Sequence, residues 1–241
     1  MNLLQVRTKF RQLSGRHDLV NNDYSDNGAD FFINEGRKFL DRLDETQKSW
    51  ASCYRFIEIG RQFIVFPYCR AIKEVWAANV SDGRWQLEKV DLQDMMEGYL
   101  TGLPSSREQG DALYYSPCVT RHIPENATVE DLEGFVGYIE TPAGNAHEWN
   151  SIVLSTPVDE KTMIDIRGLF YSAELVEDED ENYWSAVHPL LLYMSAMRYV
   201  EVVNRNTQGV NDWTNAIVID MKQLGMDLVE ELIAEVSQIE D

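Results

Sequence analysis

Apolar residues recur at helical spacing towards both ends of this chain and at strand spacing between them. Leu3, Val6, Phe10 and Leu13 are three and four residues apart, which predicts a first helix ended by Ser14-Gly15. A polar loop through Asn21, Asn22, Asp23 and Asn27 follows. Ser25 or Asp26 is then placed to cap a second helix running to about Gln47. Its apolar stripe is Phe32, Ile33, Gly36, Phe39, Leu40 and Leu43, with Arg37, Lys38, Asp41 and Arg42 elsewhere. Gly36 on that stripe implies close helix packing, because Gly is worth about 1 kcal/mol less than Ala in a helix interior.

After Trp50 the period changes. Tyr54–Ile59, Gln62–Phe66 and Ala71–Trp76 are rich in β-branched and aromatic residues and read as strands. Asp82-Gly83, between Trp76–Val80 and Arg84–Leu87, is a hairpin signal, since this pair accepts positive φ. Asp91 caps a short helix to Leu100. Strand-like runs resume at Leu113–Tyr115, Phe135–Ile139, Ser151–Leu154 and Thr162–Phe170. Seven or so short strands suggest a sandwich or a partly closed barrel.

Beyond an acidic run from Glu174 to Glu181, His188-Pro189 opens a helix to about Asn204 that is apolar on nearly every side. Such a helix must be buried on more than one face, which in a chain of this size suggests that other subunits supply part of the burial. Gly209 is expected in the following turn. A last helix from about Asn211 or Asp212 carries the stripe Ile217, Met221, Leu224, Leu228, Leu232 and Val236, and would span about 40 Å. The pattern predicts an α+β chain. Residues 1–50 and 183–241 form a helical domain, 51–175 an inserted antiparallel β domain, and 176–182 an acidic linker.

Composition narrows the function. The 241 residues are 44% hydrophobic and 11% aromatic, as in a folded protein rather than a disordered one. No run approaches the roughly 18–20 apolar residues of a membrane span. The segment Met1–Arg16 lacks the order of a secretion signal, so a cytoplasmic product is expected. Forty-one acidic against 21 basic residues leave a net charge of −20, which makes the chain a poor ligand for the DNA polyanion. It suits a surface that DNA slides past, a DNA mimic, or simple solubility.

Candidate chemistry is sparse. Cys53, Cys69 and Cys118 match neither a disulfide framework nor a metal knuckle and read as small buried hydrophobes. His17, His122, His147 and His188 lack zinc-ligand spacing, and His188 before Pro189 reads as a helix-cap residue. The acidic run lacks the ligand spacing of a calcium loop. No nucleophile elbow, phosphate loop or dinucleotide fingerprint is present. Glu140, Glu148 and Asp165 could be proposed for acid–base hydrolysis, but with so many carboxylates that choice carries almost no information. No enzyme activity, cofactor or metal is expected. The six Trp residues are spread along the chain, with Tyr183-Trp184 and Trp213 bracketing the apolar helix; core packing or an interface would account for them.

Two motifs point further. One is Asp30-Phe31-Phe32-Ile33-Asn34-Glu35-Gly36. The other is Tyr183-Trp184-Ser185-x-x-His188-Pro189-x-Leu191-Leu192, leading to Arg205-Asn206-Thr207-Gln208-Gly209-Val210-x-Asp212-Trp213. In this order they resemble the head-to-tail adaptor (connector) proteins of tailed bacteriophages. The likeness covers both ends of the chain and, in layout only, the β insert, which is longer than in the smallest family members.

The resemblance implies a ring, commonly of twelve subunits, bound beneath the portal protein at the capsid vertex. Such a ring carries the tail or nozzle proteins and lines the channel through which genomic DNA leaves unbound. It implies a virion neck protein made in the host cytoplasm. Its interface residues would include Tyr183, Trp184, His188, Tyr193, Met197 and Trp213, with Leu224, Leu228, Leu232 and Val236 on an arm docking into the portal. Outside that resemblance, a carboxylate-dependent cell-wall hydrolase of the virion and an acidic inhibitor or DNA mimic are the alternatives.

Overall fold

A computed structural model of the chain describes residues 1–44, 50–67, 69–118 and 149–239, with side chains for all of these but 149 and 226–239. It is α+β. Six helices and seven strands are described, and they fall into two compact units: Met1–Ser49 with Tyr171–Asp241, and Trp50–Phe170.

In the first unit, α1 (Leu3–Ser14) opens with a capping box between Asn2 and Gln5 and closes at Gly15, whose φ of 67° lets its N–H reach the Arg11 carbonyl. The second helix, α2 (Ala29–Leu43), starts at Gly28, while the Asp26 carboxylate accepts from the Gly28 and Asp30 amides at 3.0 Å. Asp26 thus serves the first-turn donors from outside the cap position. The helix stops at Leu43 because Asp44 is extended, short of the expected Gln47.

The apolar face of α2 packs on α5 (Pro189–Val203). A Cβ on Gly36 would sit 2.7 Å from both the Ala196 nitrogen and the Ser195 hydroxyl, so the helices approach to backbone contact there. Gly36→Ala is therefore expected to destabilise. Overpacking costs about 1–3 kcal/mol, whereas Ala regains at most about 1 kcal/mol of helix propensity. A lowered urea midpoint at unchanged slope checks this.

The all-round apolarity of α5 has an explanation inside the chain. It contacts α2, α1, α4 (Tyr183–Val187) and α6 (Thr207–Ile239), which bury Leu191, Leu192, Met194, Ser195, Ala196, Met197 and Val200. Burial by neighbouring subunits is not needed for that face; only Leu190, Val202 and Val203 stay exposed. The turn after α5 also differs from expectation. Arg205 takes a φ of 57°, and the Asn206 side chain accepts from the Gly209 amide at 3.2 Å. The last helix consequently starts at Thr207, and Gly209 lies within it.

The acidic run is no free linker. Leu175 is buried, and the Asn34 amide brackets it, donating to its carbonyl at 2.8 Å and accepting from its N–H at 3.1 Å. The Asp180 and Asp178 carbonyls accept from the Leu3 and Leu4 amides, which the start of a helix leaves without partners. Residues 171–182 therefore belong with the helices, and the β unit ends at Phe170 rather than 175. Composition reported their solvation but not the donors that hold them.

The second unit is one nearly closed sheet ordered β1-β7-β3-β4-β5-β6-β2. Its strands are β1 (Trp50–Ile57), β2 (Phe63–Pro67), β3 (Cys69–Asn79), β4 (Gly83–Lys89), β5 (Tyr114–Cys118), β6 (Trp149–Leu154) and β7 (Thr162–Phe170). The expectation of an antiparallel domain is corrected at one junction: β4 and β5 run parallel, pairing Glu88 with Tyr114 and Lys89 with Tyr115, so the sheet is mixed. Ala71–Trp76 and Trp76–Val80 merge into the single long β3. Gly83, at φ 82°, turns the β3–β4 hairpin as the Asp-Gly pair predicts.

Inside the sheet, Ile57, Phe66, Val75, Ile152 and Ile164 form the core. Outside it, α3 (Leu92–Gly98), capped by Asp91, places Met95 against Cys118 and Val153. The expected strand Phe135–Ile139, together with His122, His147, Glu140 and Glu148, lies outside the described residues.

Candidate interaction surface

The residues named from the sequence as interface positions separate into a buried set and an exposed set. Trp184 belongs to the first, only 1% exposed. The one-turn helix α4, held by a capping box between Asn182 and Ser185, points the Trp184 indole N–H at Asp41 Oδ1, 2.7 Å away. Asp41 also accepts from the Ser172 amide at 3.0 Å and from its hydroxyl at 2.8 Å, while Arg37 donates to the Ser172 carbonyl. Met197 is likewise buried. Trp184 and Met197 are core residues of this chain, which corrects their assignment to an interface.

Burial pushes the Asp41 carboxyl above its ordinary value, against the opposing pull of Trp184, Ser172 and Arg37. The folded state therefore holds a proton on Asp41 more tightly than the unfolded chain does. That stabilisation is complete below the ordinary carboxylate range near about 3.9 and is lost as pH rises through the folded value. The urea-midpoint difference between the natural chain and Asp41→Asn should accordingly be most favourable to the natural chain at the acid end and shrink towards neutrality. A difference that does not change with pH would contradict this assignment.

Tyr183 is exposed, with its ring 5.0 Å from that of Trp184 and its hydroxyl 3.2 Å from His188 Nε2. His188 stands at the α4–α5 junction as a cap by position alone, since its side chain makes no capping bond. Tyr193 is half-buried, edge-on to Phe10 at 6.3 Å and to Trp213 at 6.2 Å. Leu224 is half-buried too; the side chains of Leu228, Leu232 and Val236 lie outside the described residues.

Between α5 and α6 runs an open groove of about 420 Å³, walled by Val187, His188, Pro189 and Leu190 on one side and by Asp220, Gln223 and Leu224 on the other. Val187 is 57% and Leu190 60% exposed, so the groove presents apolar side chains to solvent around one carboxylate. Sequence reasoning did not find it, because its walls come from the end of α4, the start of α5 and α6, whose relative rotation no periodicity encodes.

Sequence reasoning also missed Arg7 and Asp41. Each is buried on its helix; for Arg7, between Val6 and Phe10, a charge inside an apolar stripe was the available signal, whereas Asp41 lies off the apolar stripe of α2 and carried none.

Elsewhere, the features weighed for chemistry take structural places. Asp165 is 1% exposed and clamped by Arg84 at 2.6 Å and Arg167 at 3.0 Å. Burial raises the Cys69 and Cys118 thiols to about 11, which leaves them protonated and unreactive at neutral pH. His17 accepts from Arg11 at 3.0 Å. Among the described residues, no three His, Cys, Asp or Glu side chains are grouped to hold a metal ion, and no helix is long and apolar enough to cross a membrane. No protein-family model matches the chain, and no curated protein matches it.

Proposed function

We propose that the protein is a head-to-tail adaptor of a tailed bacteriophage, a structural, non-catalytic component of the virion neck made in the host cytoplasm. Its N- and C-terminal helices are its adaptor domain and its β unit an insert. Copies assemble in a ring, commonly of twelve, beneath the portal protein. The ring carries the tail or nozzle proteins and lines the channel through which genomic DNA passes without being bound.

The observation that carries this reading is where the resemblance-bearing residues sit. Asn34 holds Leu175, Gly36 touches Ser195 and Ala196, Trp184 donates to Asp41, and Asn206 caps α6. All four act in one unit, and each fixes how one segment of it meets another. Motifs of an assembly scaffold are expected to specify packing in this way, whereas those of an enzyme converge on a cleft. The net charge of −20 adds support, since a channel wall rich in carboxylates repels phosphates.

Mass spectrometry of purified virions tests the assignment. The chain should appear at a copy number comparable to that of the portal protein, and its absence from particles would count decisively against it.

A further inference from the structure

The helix α1 is basic. Arg7, Lys9 and Arg11 stand in Leu3–Ser14 with no acidic residue; Arg7 is buried against Asp30 and Asp178, so Lys9 and Arg11 are the cations left towards solvent. Its outer face leaves Lys9 exposed, Leu13 60% exposed and Leu4 36% exposed. By contrast α6 is acidic, with Asp212, Asp220, Asp227, Glu230, Glu231 and Glu235 against Lys222 alone. Lys9 and Asp220 form no ion pair among the described residues, in a unit where Arg7, Arg16 and Lys38 all do.

The two faces match in spacing as well as in sign. Lys9 and Leu13 lie four residues apart on α1, and Asp220 and Leu224 four apart on α6, so each helix presents a charge and an apolar side chain one turn from each other. The α6 pair forms one wall of the groove whose other wall exposes Val187 and Leu190.

We propose that the outer face of α1 in one copy docks into the α5–α6 groove of the next, with Lys9 meeting Asp220 and Leu13 entering between Leu190 and Leu224. Different patches meet in this contact, so it is head-to-tail, and its repetition closes into a ring or runs on as a filament. The groove of a ring subunit is thus filled by its neighbour. The proposal rests on the adaptor reading for its biological setting and on complementarity for its geometry.

Oxidative crosslinking of a Leu13→Cys, Leu224→Cys chain tests it. A ladder of dimers, trimers and higher species should form, and neither substitution alone should produce it. Adding Lys9→Glu should slow ladder formation about tenfold through like-charge repulsion with Asp220, and Asp220→Lys on that background should restore it. Circular dichroism of each variant establishes that the fold is kept. No ladder, or a ladder indifferent to the charge reversals, overturns the contact. The adaptor reading fails by a different result, the absence of the unsubstituted protein from portal complexes, so the two failures are distinguishable.

Discussion

Arg7→Ala should lower the stability of the helical unit by about 3 kcal/mol, within the 3–5 kcal/mol typical of breaking a buried ion pair. The guanidinium side chain is 4% exposed. Its Nε and Nη2 grip the Asp30 carboxylate at 2.9 and 2.7 Å, and Nη1 bonds the Tyr24 carbonyl at 3.0 Å and the Asp178 carboxylate at 2.9 Å. Asp30 first, and then Asp178, strengthen its hold on the proton against the cost of burial. Removing Arg7 strands Asp30, which is 20% exposed, and releases Asp178, which is half-exposed and rehydrates readily. That difference sets the expected loss at the lower end. Arg7→Lys should recover little, because an ammonium cannot reproduce the two-pronged bond to Asp30. Equilibrium urea unfolding checks both. A loss below about 1 kcal/mol for Arg7→Ala would mean that the triad behaves as a solvated surface pair.

Trp184→Ala should cost about 3–5 kcal/mol, the range for emptying a large buried aromatic site. Trp184 is the largest fully buried side chain among the described residues, and it also supplies the indole donor to Asp41. Trp184→Phe separates the two contributions. It keeps most of the volume and loses the hydrogen bond, for which about 1–3 kcal/mol is expected because the partner is a buried carboxylate. In a double-mutant cycle with Asp41→Ala, which takes away the acceptor, the losses should not add, since both substitutions remove the same bond. Fully additive losses would contradict the coupling between α4 and α2.

Local signals in the sequence were legible where short-range physics decides. The span of α1, ended by Gly15, follows from three- and four-residue apolar spacing plus one αL glycine. The Asp91 cap of α3 and the Asp82-Gly83 hairpin follow from the chemistry of those residues. Gly36 on an apolar stripe foretold a close helix contact, though not that Ser195 and Ala196 make it.

What could not be read depends on partners distant in sequence. The parallel β4–β5 junction joins positions 26 residues apart, Glu88 with Tyr114 and Lys89 with Tyr115, and leaves no local mark. The acidic run looked like a linker because its charge is local, while the α1 amides and Arg7 that hold it lie some 170 residues away. The apolarity of α5 was read as a demand for other subunits because its spacing does not reveal that α2 and α6 flank it. At the candidate surface, Leu190 and Leu224 were visible as apolar residues, but their meeting across a groove was not.

The central claim is assembly in a neck ring, and electron microscopy of the purified chain mixed with the portal protein of its phage tests it most directly. The account predicts closed rings of this chain, in stoichiometric amount, seated on the portal. Portal particles that remain bare at saturating concentrations of the chain would contradict it.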